Sequence, residues 1–218
     1  MSFGPRSPVP GPLVIGHRGF PARHPDNSLA GVRAALAAGA DGVEVDVRPC
    51  ADGTWVCHHD RTRDDRPVRS WSRAALRRAG VPALEEVLAA VPAGRWLFVE
   101  VKPLGRASFG RRGEALVAQL RQAAARLRLL SSSLELLEAL GAELDAPRSW
   151  VIDELPGPLP PGLELSPHHL LVEPLAARGR PLHPWTVNRA ERMRRLAALG
   201  VASITSNRPD LACRVLRG

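Results

Sequence analysis

Two carboxylates stand one residue apart in the run Gly42-Val43-Glu44-Val45-Asp46-Val47. In an extended strand, side chains alternate between faces. Glu44 and Asp46 therefore share one face, their Cα atoms roughly 7 Å apart, while the three valines share the other. Val99-Glu100-Val101-Lys102 repeats the device, with Glu100 and Lys102 on one face. Carboxylates on the inner face of an apolar strand are costly unless they are paired or hold a cation. Three oxygen donors with no Cys or His among them suit a hard divalent ion, Mg²⁺ or Ca²⁺, with Mn²⁺ also acceptable. A solvent-facing strand edge, or structural pairing of Glu100 with Lys102, are the plainer readings of the same spacing.

Two imidazoles end neighbouring apolar runs: His17 in Ile15-Gly16-His17-Arg18-Gly19, and one of His58 or His59 in Val56-Cys57-His58-His59-Asp60. Imidazole titrates near neutrality, so two of them can serve as general base and general acid. Alternation allows only one of His58 and His59 to point inward and does not choose between them. His24, His168, His169 and His183 lack supporting neighbours and read as surface or structural residues. Lys102 is the only lysine among 30 basic residues. An ammonium and a guanidinium differ in size and geometry, so a compact cation is useful at that position, although chance retention explains it almost as well.

These residues need a scaffold that delivers strand ends to one place. Strand-like runs at 13–16, 42–47, 54–58, 96–101, 127–131, 149–153, 163–166, 182–187 and 202–205 alternate with helical patterns at 28–38, 84–90, 111–126, 134–140, 169–178, 189–199 and 209–216. Such alternation implies βα units around a parallel sheet. The count predicts a single-domain (β/α)8 TIM barrel over 12–218, with 54–58 as an extra strand after the second and a short insertion at 61–80. A doubly wound open sheet is the alternative. Asp26, Asn27 or Ser28 can cap the first helix, and the proline-rich stretch 155–162 must be loop.

Residues 1–11 read as a flexible leader, not a secretory signal. No stretch of about 18 apolar residues exists, so no membrane-spanning helix is expected. Three cysteines without Cys-x-x-Cys spacing fit neither a disulfide framework nor a zinc site and suggest a reduced, cytoplasmic chain. The formal charge of +8 favours anionic partners. The arginines are nonetheless scattered and follow no nucleic-acid-binding pattern, so no nucleic-acid partner is expected.

Taken in order, His17-Arg18-Gly19, Pro25-Asp26-Asn27-Ser28, the run from Gly39 to Val47, Asp52-Gly53, His59-Asp60, the run from Val81 to Leu88, Glu100-Val101-Lys102, Trp185-Thr186-Val187-Asn188 and Arg208-Pro209-Asp210 resemble the glycerophosphodiester phosphodiesterases. The resemblance spans nearly the whole chain. It implies metal-dependent hydrolysis of small glycerophosphodiesters to glycerol 3-phosphate and an alcohol. Glu44, Asp46 and Glu100 would hold one divalent cation, and His17 and His59 would act as acid and base. Arg18 and Lys102 would contact phosphate, with Trp185 and Asn188 in the pocket wall. Lysophospholipids, an inositol-containing diester, or a phosphorylated ligand bound without turnover are the competing expectations.

Overall fold

The computed structural model describes residues 11–103 and 110–218; nearly all of the expected leader lies outside them. In chain order the elements are β1 (Leu13–Gly16), α1 (Leu29–Ala37), β2 (Gly42–Pro49), β3 (Trp55–Cys57), β4 (Thr62–Arg63), β5 (Arg66–Pro67) and α2 (Arg73–Arg78). There follow α3 (Leu84–Ala90), β6 (Trp96–Val101), α4 (Gly110–Leu120), β7 (Arg126–Ser131), α5 (Leu134–Glu143) and β8 (Arg148–Ile152). The chain ends with β9 (Glu164–Pro167), α6 (Val172–Ala176), α7 (Ala190–Ala198), β10 (Ser203–Ser206) and α8 (Pro209–Arg217).

Seven parallel strands run β10-β1-β2-β6-β7-β8-β9. Residues 182–187 bridge the two ends. Leu182 pairs with Leu165 and Trp185 with His168, while Ala202 N donates to Leu182 O (2.8 Å) and Val187 N to Thr205 O (2.9 Å). This eighth strand closes a (β/α)8 barrel, which removes every free edge. Seven helices cover it among the described residues. The β8–β9 connection has none, because Pro156, Pro158, Pro160 and Pro161 cannot supply helical N–H groups.

The alternation seen in the sequence determines the layers. Val43, Val45 and Val47 are fully buried with Val99 and Val101 in the core between barrel and helices, each worth about 2 kcal/mol of burial. β3 turns back antiparallel to β2. The excursion after it contains the β4–β5 hairpin and α2, packed on a small core of its own made by Cys50, Val56, Val68, Leu76 and Val81.

Inside the barrel, towards the strand starts, lies a polar layer. Arg128 pairs with Glu164, bonds Ser149 Oγ at 3.2 Å and lies 5.2 Å from the Phe98 ring centre. His183 bridges Glu164 Oε2 (2.9 Å) and Ser203 Oγ (2.8 Å), and burial with the Arg128 charge holds its pKa well below the usual range. His183 is thus a buried structural residue. Removing one partner of such a network strands the other charge. Glu164→Ala is expected to cost about 2 kcal/mol, below the full value for a buried pair because Glu164 is partly exposed. Urea unfolding checks this, and an unchanged midpoint would show that the layer contributes nothing.

Candidate active site

The cleft opens where the barrel strands end, the usual functional face of this fold. His17, Arg18, Glu44, His59, Glu100, Lys102 and Trp185 line it, with Leu130, Val151, Ser166 and Thr205. His17 directly follows β1, and its N–H continues the pairing to Ser206 O at 2.9 Å. The chain then turns through Arg18 (φ 49°) and Gly19 (φ 87°). A Cβ on Gly19 would come within 2.7 Å of the Gly31 backbone, so only glycine fits. The turn aims the Arg18 N–H at Glu44 Oε2, 2.9 Å away. The Arg18 side chain reaches Asp26 (3.0 Å) and lies 3.1 Å from Asp46.

β2 and β6 are neighbours, with Asp46 opposite Glu100. One oxygen from each of Glu44, Asp46 and Glu100 falls within 4.8 Å of the others. Lys102 Nζ lies between two of them, 2.7 Å from Asp46 and paired also with Glu100. Asn27, in a left-handed conformation (φ 58°), clamps Asp46 from the other side. Its Nδ2 donates to Asp46 Oδ2 and its Oδ1 accepts from Asp46 N, both at 3.0 Å. The helix cap is Ser28, whose hydroxyl accepts from Gly31 N at 3.1 Å.

These partners split the pKa values of the acids. Burial, reinforced by Asp46 and Glu100, lifts Glu44 well above the carboxylate range. Burial also lifts Asp46, but Lys102, Arg18 and Asn27 outweigh it, so its pKa ends low. For Glu100, burial prevails over Lys102 and the value rises. Glu44 Oε1 is buried and makes no hydrogen bond. An orphaned carboxylate oxygen beside two further carboxylates is costly to bury, and an all-oxygen donor set fits a hard divalent cation.

His17 Nδ1 lies 2.7 Å from Asn207 Oδ1. With that oxygen as acceptor, Nδ1 carries the proton and Nε2 is the basic nitrogen, an assignment made from the hydrogen-bond network. Burial, with the Arg18 charge, lowers the His17 pKa to about 4 against the opposing Asn207 bond. His59 is the inward member of its pair, and its Nδ1 bonds Asp60 at 2.8 Å. His58 instead bonds Thr62 O at 3.2 Å.

Asn188 is not among the cleft-lining residues. It borders a neighbouring groove, and its Oδ1 accepts from Asn207 N (2.9 Å) and Ser206 Oγ (3.2 Å). It therefore stands behind the residue that holds His17. Asn27, Asn207 and Asp60 were not predicted as site residues. A signal for the first two was available, since Asn27, Asn188 and Asn207 are the chain's only asparagines.

Fold and cleft together define the class: an enzyme on a (β/α)8 barrel, with its working groups at the strand ends. The chain belongs to the glycerophosphoryl diester phosphodiesterase family, whose model matches residues 17–132 and 135–211. It is 27% identical to the glycerophosphodiester phosphodiesterase of Caldanaerobacter subterraneus, over 94% of this chain and 98% of that one. A stretch of 53 residues is 53% identical to the Mycobacterium tuberculosis protein named "Probable glycerophosphodiester phosphodiesterase 1", spanning 24% of this chain but only 19% of that longer one. The fold matches an Oleispira antarctica phosphodiesterase solved with the product sn-glycerol-3-phosphate. That match has a TM-score of 0.82 at 22% identity and covers 94% and 96% of the two chains.

Proposed function

We propose that this enzyme hydrolyses glycerophosphodiesters to glycerol 3-phosphate and an alcohol, using one divalent cation held by Glu44, Asp46 and Glu100. The observation that carries the reading is the meeting of those three carboxylates with His17 and His59 in one cleft. When bound there, the cation supplies charge compensation for phosphoryl oxygens. Lys102, with three N–H groups of which two serve Asp46 and Glu100, and Arg18 add positive charge where the transition state becomes more negative.

His17 is neutral at working pH, with Nε2 free, and acts as the base that takes a proton from the nucleophile. His59 has Asp60 behind it, bonded to Nδ1 at 2.8 Å, which orients the ring, and it acts as the acid that protonates the departing alkoxide. Trp185 anchors its indole to Ser166 O at 2.8 Å and forms a wall of the cleft. A reduced, cytoplasmic setting belongs to this reading and suits the free cysteines Cys50, Cys57 and Cys213. No described helix is long and apolar enough to cross a membrane.

One observation favours a lipid substrate. Leu155, in the loop after β8, and Leu170, in the 3-10 turn after β9, are 51% and 65% exposed. An acyl chain could lie there, which points to lysophospholipids as a second reading. Assaying the purified protein on glycerophosphodiesters and lysophospholipids, with and without EDTA, separates the two. Turnover of the diesters that EDTA abolishes is expected, and turnover unaffected by EDTA would remove the cation from the proposal.

Lys102→Arg tests the solitary lysine. The charge is unchanged, but a planar fork cannot replace a point ammonium wedged between Asp46 and Glu100. A fall in kcat of about tenfold or more is expected from the displaced groups. Wild-type kinetics in this variant would return Lys102 to chance.

A further inference from the structure

A second groove, with an empty volume of about 750 Å³ up to its open mouth, runs beside the cleft along the excursion that follows β3. Arg48, Arg61 and Arg69 line it, together with Thr62 and Pro103. Arg48 connects groove and cleft. By strand alternation it lies on the Glu44/Asp46 face of β2, one step further on, and its Nε donates to His59 O at 2.8 Å. On the opposite side Pro103 directly follows Lys102.

Three arginines line this groove. Arg63, Arg73 and Arg192 each pair with a carboxylate. Among the described residues, no carboxylate lies within ion-pair distance of Arg48, Arg61 or Arg69. Like charges gathered on one wall raise the local concentration of anions. The described lining carries no aromatic ring and no carboxylate, the groups that would hold a quaternary ammonium.

We propose, resting on the phosphodiesterase reading, that this groove receives a second anionic group carried by the departing alcohol. The favoured substrates are then water-soluble glycerophosphodiesters whose alcohol bears a phosphate or a carboxylate. The groove adjoins His59, the proposed acid, through the Arg48 Nε bond to His59 O.

The experiment compares kcat and KM for glycerophosphocholine with those for glycerophosphoinositol 4-phosphate, using the intact enzyme and its divalent cation. The anionic diester is expected to have a kcat/KM about tenfold higher, the scale of a few exposed charge contacts. The difference should lie in KM and shrink as salt is raised. In the Arg61→Gln/Arg69→Gln double variant the preference should vanish through KM, with kcat on both diesters retained. Equal kcat/KM in the wild type, or a preference that survives in the double variant, would overturn the proposal. If neither diester were cleaved, the phosphodiesterase reading would fail. Calorimetric binding of the same two diesters would still decide the groove, because equal affinities would overturn it.

Discussion

Replacing His17 or His59 with alanine lowers kcat on a glycerophosphodiester at least about 10²-fold, the ordinary contribution of a general acid or base. The two sites should fail in distinguishable ways. His17 Nε2 is basic because Asn207 holds the proton on Nδ1, and burial keeps the ring neutral down to about pH 4. A base is active when deprotonated. The acid limb of the wild-type kcat/KM profile that belongs to His17 therefore lies near pH 4, well below the 6.5 of a free imidazole. It should disappear in His17→Ala and persist in His59→Ala. His59 is partly exposed, so His59→Ala should melt close to wild type, whereas His17→Ala loses a mostly buried ring and its Asn207 bond and should melt somewhat lower. Near-normal turnover in either variant would end its assigned role, whatever the melts showed.

Glu44→Gln is expected to weaken divalent-cation binding by more than the 10- to 100-fold typical of losing a supporting partner, since it neutralises a proposed direct ligand. Turnover should fall with occupancy. The substitution preserves volume and leaves an oxygen to accept from the Arg18 N–H. It also removes a charge that burial disfavours, as the raised pKa of Glu44 indicates. In EDTA the variant should thus be at least as stable as the wild type. Added Mg²⁺, Ca²⁺ or Mn²⁺ should raise the wild-type Tm by mass action and leave the variant's almost unmoved. An equal rise in both would place the ion elsewhere.

The acidic face of this site was legible because a strand translates spacing into direction. Glu44, Asp46, Glu100 and Lys102 alternate with valines, and the structure brings their charged ends together. The barrel was legible for a similar reason: nine apolar runs, one of them an extra strand, and the proline-rich gap could be counted. Loops follow no such rule. The clamp of Asn27 on Asp46 depends on a left-handed backbone at a position that a helix-capping pattern explains equally well. The bond from Asn207 to His17 spans 190 residues, and only closure of the barrel brings its ends together. The choice between His58 and His59 was open because alternation identifies a face without saying which face is inward. The polar layer of Arg128, Glu164 and His183 was missed because each residue lies on a different strand, where its own segment supplies no partner.

The path from Asn188 through Asn207 to His17 is built from amides, and this determines how the enzyme's activity can adapt. Neither side chain carries a charge, so the ring is oriented without much gain in proton affinity. Exchanging the amide nitrogen of Asn207 for oxygen would put an anion against Nδ1 and draw the imidazole towards its charged form. The pH at which the base becomes available would then rise. The acidity range of this catalyst can in principle be reset from the last barrel strand, with no change to the carboxylates, the arginines or the substrate cavity.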